Sequence, residues 1–369
     1  MAKAAYGTTP ARLDTLLWEQ AASGDIAPLA DVVAAVQGKP AEHVVVETII
    51  AEDANPLDVI HPKSEADYEV RTVGGVSVMR VDDEKGPFVL SAWPTTFGGV
   101  FHLIGSIPAT DSRWDKVDRW INNAAPHAVR CFLDHNDFTA IGTALSEHDQ
   151  VEVQRVTGRV HADRSSWSRG FPALVGTLRP DHHSVVEEAE SIGASLRTLH
   201  LHVGDVMDVL LRRIAGATFY RGDFEVFQAR VLARLAVAAH RRRELMSNRQ
   251  RVVNEPPKRP IEVRLPEPLL IDANATGEVL RSLAEERDIT FSVFHRNPYL
   301  HVAVTDNADG SNYDLFVTSP DAIEIHPGFR ASLGSFTRIA QSLSLHFEAT
   351  GLRETPEPQP VSLYDLISD

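Results

Sequence analysis

The segment "VVNEPPKRP", Val252 to Pro260, constrains this chain more than any other. Three prolines in five residues cannot continue a helix, and proline lacks the N–H that a central strand must donate. The elements on either side of it must therefore find their own cores. With 369 residues and 43% apolar content, the chain has material for two or three domains. The expected division is an N-terminal α+β sheet domain over 1–126, a central βαβ-type α/β unit with a long basic helix over 127–252 and a Pro-rich linker over 253–262. A small C-terminal α+β domain over 263–350 and a Pro-rich tail over 351–369 complete it.

Within the N-terminal part, the helix "PLADVVAAVQG" stops at Gly38. Five short alternating runs follow, "HVVVETI", "YEVRTV", "VSVMRVDD", "PFVLSAW" and "VFHLIG", cut by Gly, Pro and Asp. Period-two alternation with turn residues between the runs predicts an antiparallel sheet. A helix over about 114–123, apolar at Trp114, Val117 and Ile121, closes the domain. From about residue 127 strands and helices alternate, as "AVRCFL", "DFTAIGTALSEH", "VEVQRVTGRV", "SVVEEAESIG", "SLRTLHLHV" and "VMDVLLRRI". That order predicts a small, largely parallel sheet whose ligands bind beyond the carboxyl ends of its strands. The long helix "FEVFQARVLARLAVAAHRRRELMSNRQR" comes next, with Phe224, Phe227, Val231, Leu235 and Ala238 along one face. Beyond the prolines a helix, four strands and a second helix are expected.

The stretch "RTLHLHVGD", Arg197 to Asp205, raises the question of a metal site. Alternation places His200 and His202 on one face of a strand, where two imidazoles can share an ion, with Asp205 as the candidate third ligand. Asp205 also suits the N-cap of a following helix, which explains it without a metal. Its spacing misses the His-x-His-x-Asp-His pattern by one residue. Carboxylates at the ends of the other two strands supply a second candidate. Asp134, with His135 and Asp137, follows the first strand, and His161 and Asp163 follow the second. If the strands are parallel, Asp134, Asp163 and Asp205 gather at one rim, as Mg²⁺-dependent phosphoryl chemistry requires. No Gly-rich phosphate loop, Gly-x-Ser-x-Gly elbow or His-Glu-x-x-His motif is present, and no cofactor is expected.

Charge is unevenly spread. The chain carries −15 overall, yet residues 201–262 hold 12 basic and 7 acidic side chains, whereas 263–369 hold 7 basic and 16 acidic. Arg230, Arg234 and Arg241 share one arc of the long helix, and Arg242, Arg243, Arg249, Arg251, Lys258 and Arg259 carry the charge into the linker. A second cluster, Arg155, Arg159, Arg164 and Arg169 with Trp167, is expected in a loop. Arginine for phosphate and aromatic rings for bases suit single-stranded nucleic acid. Arginines spent on salt bridges with the acidic outer domains are the alternative.

The C-terminal "VSLYDLISD" offers Val361, Leu363, Tyr364, Leu366 and Ile367 as a docking peptide, either for a partner or for the chain itself. The lone Cys131 excludes an intramolecular disulfide and fits a reducing compartment. No apolar run approaches the roughly 18 residues of a bilayer span, so a soluble cytoplasmic protein with no membrane partner is expected. The combined expectation is a nucleic-acid-associated adaptor whose outer domains engage a protein partner or a second copy. A metal-dependent phosphoesterase or nuclease, and a non-catalytic scaffold, are the competing classes.

Overall fold

A computed structural model describes residues 12–36, 43–52, 55–108, 110–161, 165–172, 179–214, 216–296 and 299–356. It is a mixed α+β structure with two antiparallel sheets, of eleven and six strands. The chain divides into two compact units, residues up to Ser247 with Leu333–Gln341, and Asn248–Ser332 with residues from Ser342 onward. No helix among the described residues is long and apolar enough to cross a membrane.

The first unit opens with α1 (Arg12–Ser23) and α2 (Leu29–Val36), followed by β1 (Val44–Ala51), β2 (Asp67–Val73), β3 (Val76–Asp82), β4 (Phe88–Pro94) and β5 (Val100–Gly105). Strands β2 to β5 form a meander and β1 lies beside β5. Every residue of β1 is buried. Its side chains alternate between two cores, Val44, Val46 and Ile50 in one and Val45, Ile49 and Ala51 in the other. A strand covered on both faces needs apolar residues on both, and only Glu47 and Thr48 interrupt them here. Helix α3 (Ser112–Ala124) begins at Asp111, whose side chain accepts the Arg113 N–H, and it buries Trp114, Val117, Trp120 and Ile121 in that second core.

The next elements are β6 (Ala128–Arg130), α4 (His135–Ser146), β7 (Val151–Val160), β8 (Ser166–Gly170), α5 (His182–Ser191), β9 (Ala194–Val203), β10 (Met207–Arg212) and β11 (Gly216–Gly222). The expected parallel βαβ unit is not what they build. Strand β6 pairs antiparallel with β1, β7 pairs antiparallel with β9, and β11 returns to β1. One sheet, in the order β2-β3-β4-β5-β1-β11-β10-β9-β7-β8, therefore runs across residue 127. The hairpin from β7 into β8 reverses the chain, so α5 delivers β9 antiparallel rather than as a crossover. Polar alternation is the trace of this in the sequence. Val151, Val153 and Val156 on β7, and Leu199, Leu201 and Val203 on β9, point into the core under α4 and α5. Glu152, Thr157, Thr198, His200 and His202 are only half-buried. Strands of a parallel sheet with helices on both faces would be apolar on both.

The long helix is present as α6 (Phe224–Val226), a π-helical turn over Phe227–Leu232 and α7 (Ala233–Met246). Phe224, Phe227, Val231, Leu235 and Ala238 are all buried, as their spacing predicts. The backbone of Leu232, the last residue of the π turn, bonds the buried His102, whose pKa burial holds down at about 4.

The second unit contains β12 (Ile261–Arg264), α8 (Ala273–Glu285), β13 (Ile289–His295), β14 (Leu300–Asp306), β15 (Ser311–Ser319), β16 (Ala322–Pro327), the end of α9 (Leu333–His346) and β17 (Gly351–Glu354). The expected helix, four strands and helix are there. Two short strands, β12 from the end of the linker and β17 from the start of the tail, extend the sheet to β13-β14-β15-β16-β12-β17. One face is apolar and buried, through Leu300, Val302, Val304, Tyr313, Leu315, Ile323 and Ile325.

Candidate functional site

His200 and His202 share one face of β9, opposite Leu199 and Leu201, as alternation predicts. The segment after them differs from expectation. "VMDVLLRRI" supplies β10, because Met207, Val209 and Leu211 fill the core in period two, so Asp205 caps no helix. It lies exposed in the turn Gly204–Val206. The carboxylate that meets the histidines is Asp208, directly across from His202. Asp208 accepts from His202 Nδ1 at 2.6 Å, from Gln154 Nε2 at 3.1 Å and from Arg221 Nε. Burial pushes the Asp208 carboxyl up, but the His202 and Arg221 bonds outweigh this and hold it below the usual carboxylate range. His200 packs near Tyr220, ring centres 5.2 Å apart. Among the described residues no group of three or more His, Cys, Asp or Glu side chains is placed to hold a metal ion.

The rim of carboxylates is not assembled, because it required parallel strands. His161 follows the end of β7, where Val160 faces Ala194, whereas Asp205 follows the end of β9, where Val203 faces Val151. The two sit at opposite ends of the pair. Asp134 caps α4 in a reciprocal capping box with Asp137, and both carboxylates take the Arg242 guanidinium, at 3.2 and 2.7 Å. Burial pushes the Asp134 carboxyl up against the pull of Arg242. Asp163 lies outside the described residues.

The basic segment has carboxylate partners along most of its length. Arg230 meets Glu147 at 2.8 Å, Arg241 meets Asp137, Arg243 meets Glu244 at 3.4 Å, Arg249 and Arg259 both reach Glu354, and Arg251 stands 3.9 Å from Asp314. Lys258 donates to the Asn248 carbonyl. Arg234 is exposed. Arg230 lies within the π turn rather than on α7, which takes it off the regular arc expected with Arg234 and Arg241. The second cluster is a hairpin rather than a loop, with Arg155 and Arg159 on β7 and Trp167 and Arg169 on β8. Trp167 packs on the core, and Arg169 pairs with Glu188 and lies over the Phe171 ring. Arg164 and the tail residues Val361, Leu363, Tyr364, Leu366 and Ile367 lie outside the described residues.

A feature that sequence reasoning missed lies on the second sheet. Side chains opposite its buried face form a ring stripe across four strands. Phe294 of β13 stacks near His301 of β14 at 5.2 Å, His301 stacks on Phe316 of β15 at 4.2 Å, and Phe316 meets His326 of β16 edge-on at 4.9 Å. His301 bonds Asp314 at 3.0 Å and His326 bonds Glu324 at 2.9 Å. Phe294 is 67% exposed, at an irregularity in the β13–β14 pairing. The signal was legible as one ring at an outward position in each of "ITFSVFH", "YLHVAVTD", "YDLFVTS" and "AIEIHP". In the first unit, a cavity of about 230 Å³ opens beside Trp18, Pro87 and Phe88, below the several hundred Å³ of a usual small-molecule site. No family model matches this chain, and no curated protein matches it.

Proposed function

We propose that this protein is a non-catalytic adaptor that docks a basic, apolar segment of a protein partner on the ring stripe of its second sheet. The contiguous rings of exposed Phe294 and half-buried His301, Phe316 and His326 carry the proposal. Rings standing on a sheet face open to solvent favour apolar and cationic side chains. The charge balance of residues 263–369, 7 basic against 16 acidic, favours a basic partner. The carboxylates that hold Arg230, Arg241, Arg242, Arg243, Arg249 and Arg259 favour this reading over nucleic acid bound through the basic helix.

A labelled peptide of alternating arginine and phenylalanine, titrated by fluorescence anisotropy, tests it. Binding should fall about tenfold or more when Phe294 and Phe316 are both replaced by Ser, and stay unchanged in Phe329→Ser, a 63% exposed control. The same peptide with glutamate for arginine should not bind. Equal binding by both peptides, or by both variants, rejects the docking face. A single-stranded oligonucleotide that binds with steep salt dependence, and loses affinity in Arg241→Ala, would restore the nucleic-acid alternative.

A further inference from the structure

The first sheet carries an independent feature on the half-buried face of β7 and β9. Two nitrogen atoms there, His200 Nε2 and Arg179 Nε, are buried and have no hydrogen-bond partner among the described residues. A guanidinium N–H is an obligate donor, so Arg179 Nε calls for an acceptor that the described residues do not supply. Arg155 stands directly across from His200 in the β7–β9 register, so both side chains share that face. It is exposed, and among the described residues it has no carboxylate partner.

The nearby carboxylates are already committed. Asp208 is engaged by His202, Gln154 and Arg221, and Glu152 forms an ion pair with Arg179 Nη1 at 3.7 Å. Burial lowers the His200 pKa, and the Arg179 and Arg155 guanidiniums act in the same direction, against Asp208.

We propose that this face binds a phosphoryl group, as inorganic phosphate or a small phosphomonoester, between Arg155, Arg179 and His200. Two guanidiniums present forked donors that match the oxygens of a tetrahedral dianion, and the imidazole contributes a third donor. Tyr220, packed beside His200, walls the site.

Isothermal titration calorimetry of the full chain with inorganic phosphate tests this. A saturable one-to-one heat is expected, weakened about tenfold or more in Arg155→Ala and in His200→Ala and unchanged in Arg234→Ala. Arg155 and Arg234 are both exposed, so neither substitution disturbs the core, and circular dichroism verifies that each variant is folded. No saturable heat would mean that the orphaned donors are met by water alone and would overturn the site. Equal weakening in Arg155→Ala and Arg234→Ala would overturn it too, by reducing the effect to general charge.

Discussion

Arg242 is a charged side chain at 8% exposure, with two carboxylates, a carbonyl and a ring around its guanidinium. Its guanidinium donates to Asp134, Asp137 and the Ala238 carbonyl and lies 4.8 Å from the centre of the Phe132 ring. Neighbouring Arg241 binds the same Asp137 from a side chain that is 59% exposed. The two arginines should therefore differ in energy despite adjacent positions. Replacing Arg242 by Met leaves a carboxylate at 3% exposure with only the surface Arg241 as its cation and should cost about 3–5 kcal/mol, whereas Arg241→Ala should cost about 1 kcal/mol or less. Urea unfolding of the two variants decides this, and equal losses would contradict it. The lone thiol nearby is inert for a related reason, since burial pushes the Cys131 pKa up to about 12.

Strands and helices were legible where one period dominated. The five N-terminal runs are apolar and cut by turn residues, and the long helix repeats its apolar residues at three- and four-residue steps, so both formed as expected. "VMDVLLRRI" fits either period, and Asp205 looked like a cap. What decided it was Gly204, whose φ of +41° turns the chain back into a hairpin. Sheet direction was the harder matter, because alternating elements suit a crossover or a returning hairpin equally. The polar alternation of β7 and β9 was the better guide. The candidate acid went astray with the helix: once β10 replaces it, register puts Asp208 rather than Asp205 against His202.

Two glycines on these strands give contrasting expectations. A Cβ on Gly158 would meet the Ser195 carbonyl oxygen at 2.5 Å, a backbone atom that cannot yield, so Gly158→Ala should cost about 1–3 kcal/mol. Gly170, with open space around it, should accept Ala within about 0.5 kcal/mol. Thermal unfolding of the pair distinguishes them, and similar shifts would mean that the β7–β9 contact relaxes.

For the molecule as a whole, proton linkage follows from two buried histidines. His102 and His182 have pKa values held down at about 4, chiefly by burial. The unfolded chain takes up these protons near pH 6.5 and the folded chain does not, so stability is full above about 6.5 and falls as pH drops toward 4. Each contributes a loss of up to about 3 kcal/mol across that window. The unfolding midpoint should therefore drop between pH 7.5 and pH 5, and the drop should be smaller in His102→Gln. An identical slope in that variant would remove His102 from the account.

The position of β1 has a consequence in time rather than in space. This fully buried strand ends at Ala51 and needs β11, which begins at Gly216, along one edge. At 5–20 residues per second, a ribosome leaves that edge bare for roughly ten to thirty seconds. A nascent or truncated chain thus displays an apolar strand with unpaired N–H and C=O groups, the template on which other chains aggregate. Residues 1–126 expressed alone should be insoluble, and co-expression with 127–369 should recover them in the soluble fraction, because only the later half brings the strand that closes the edge.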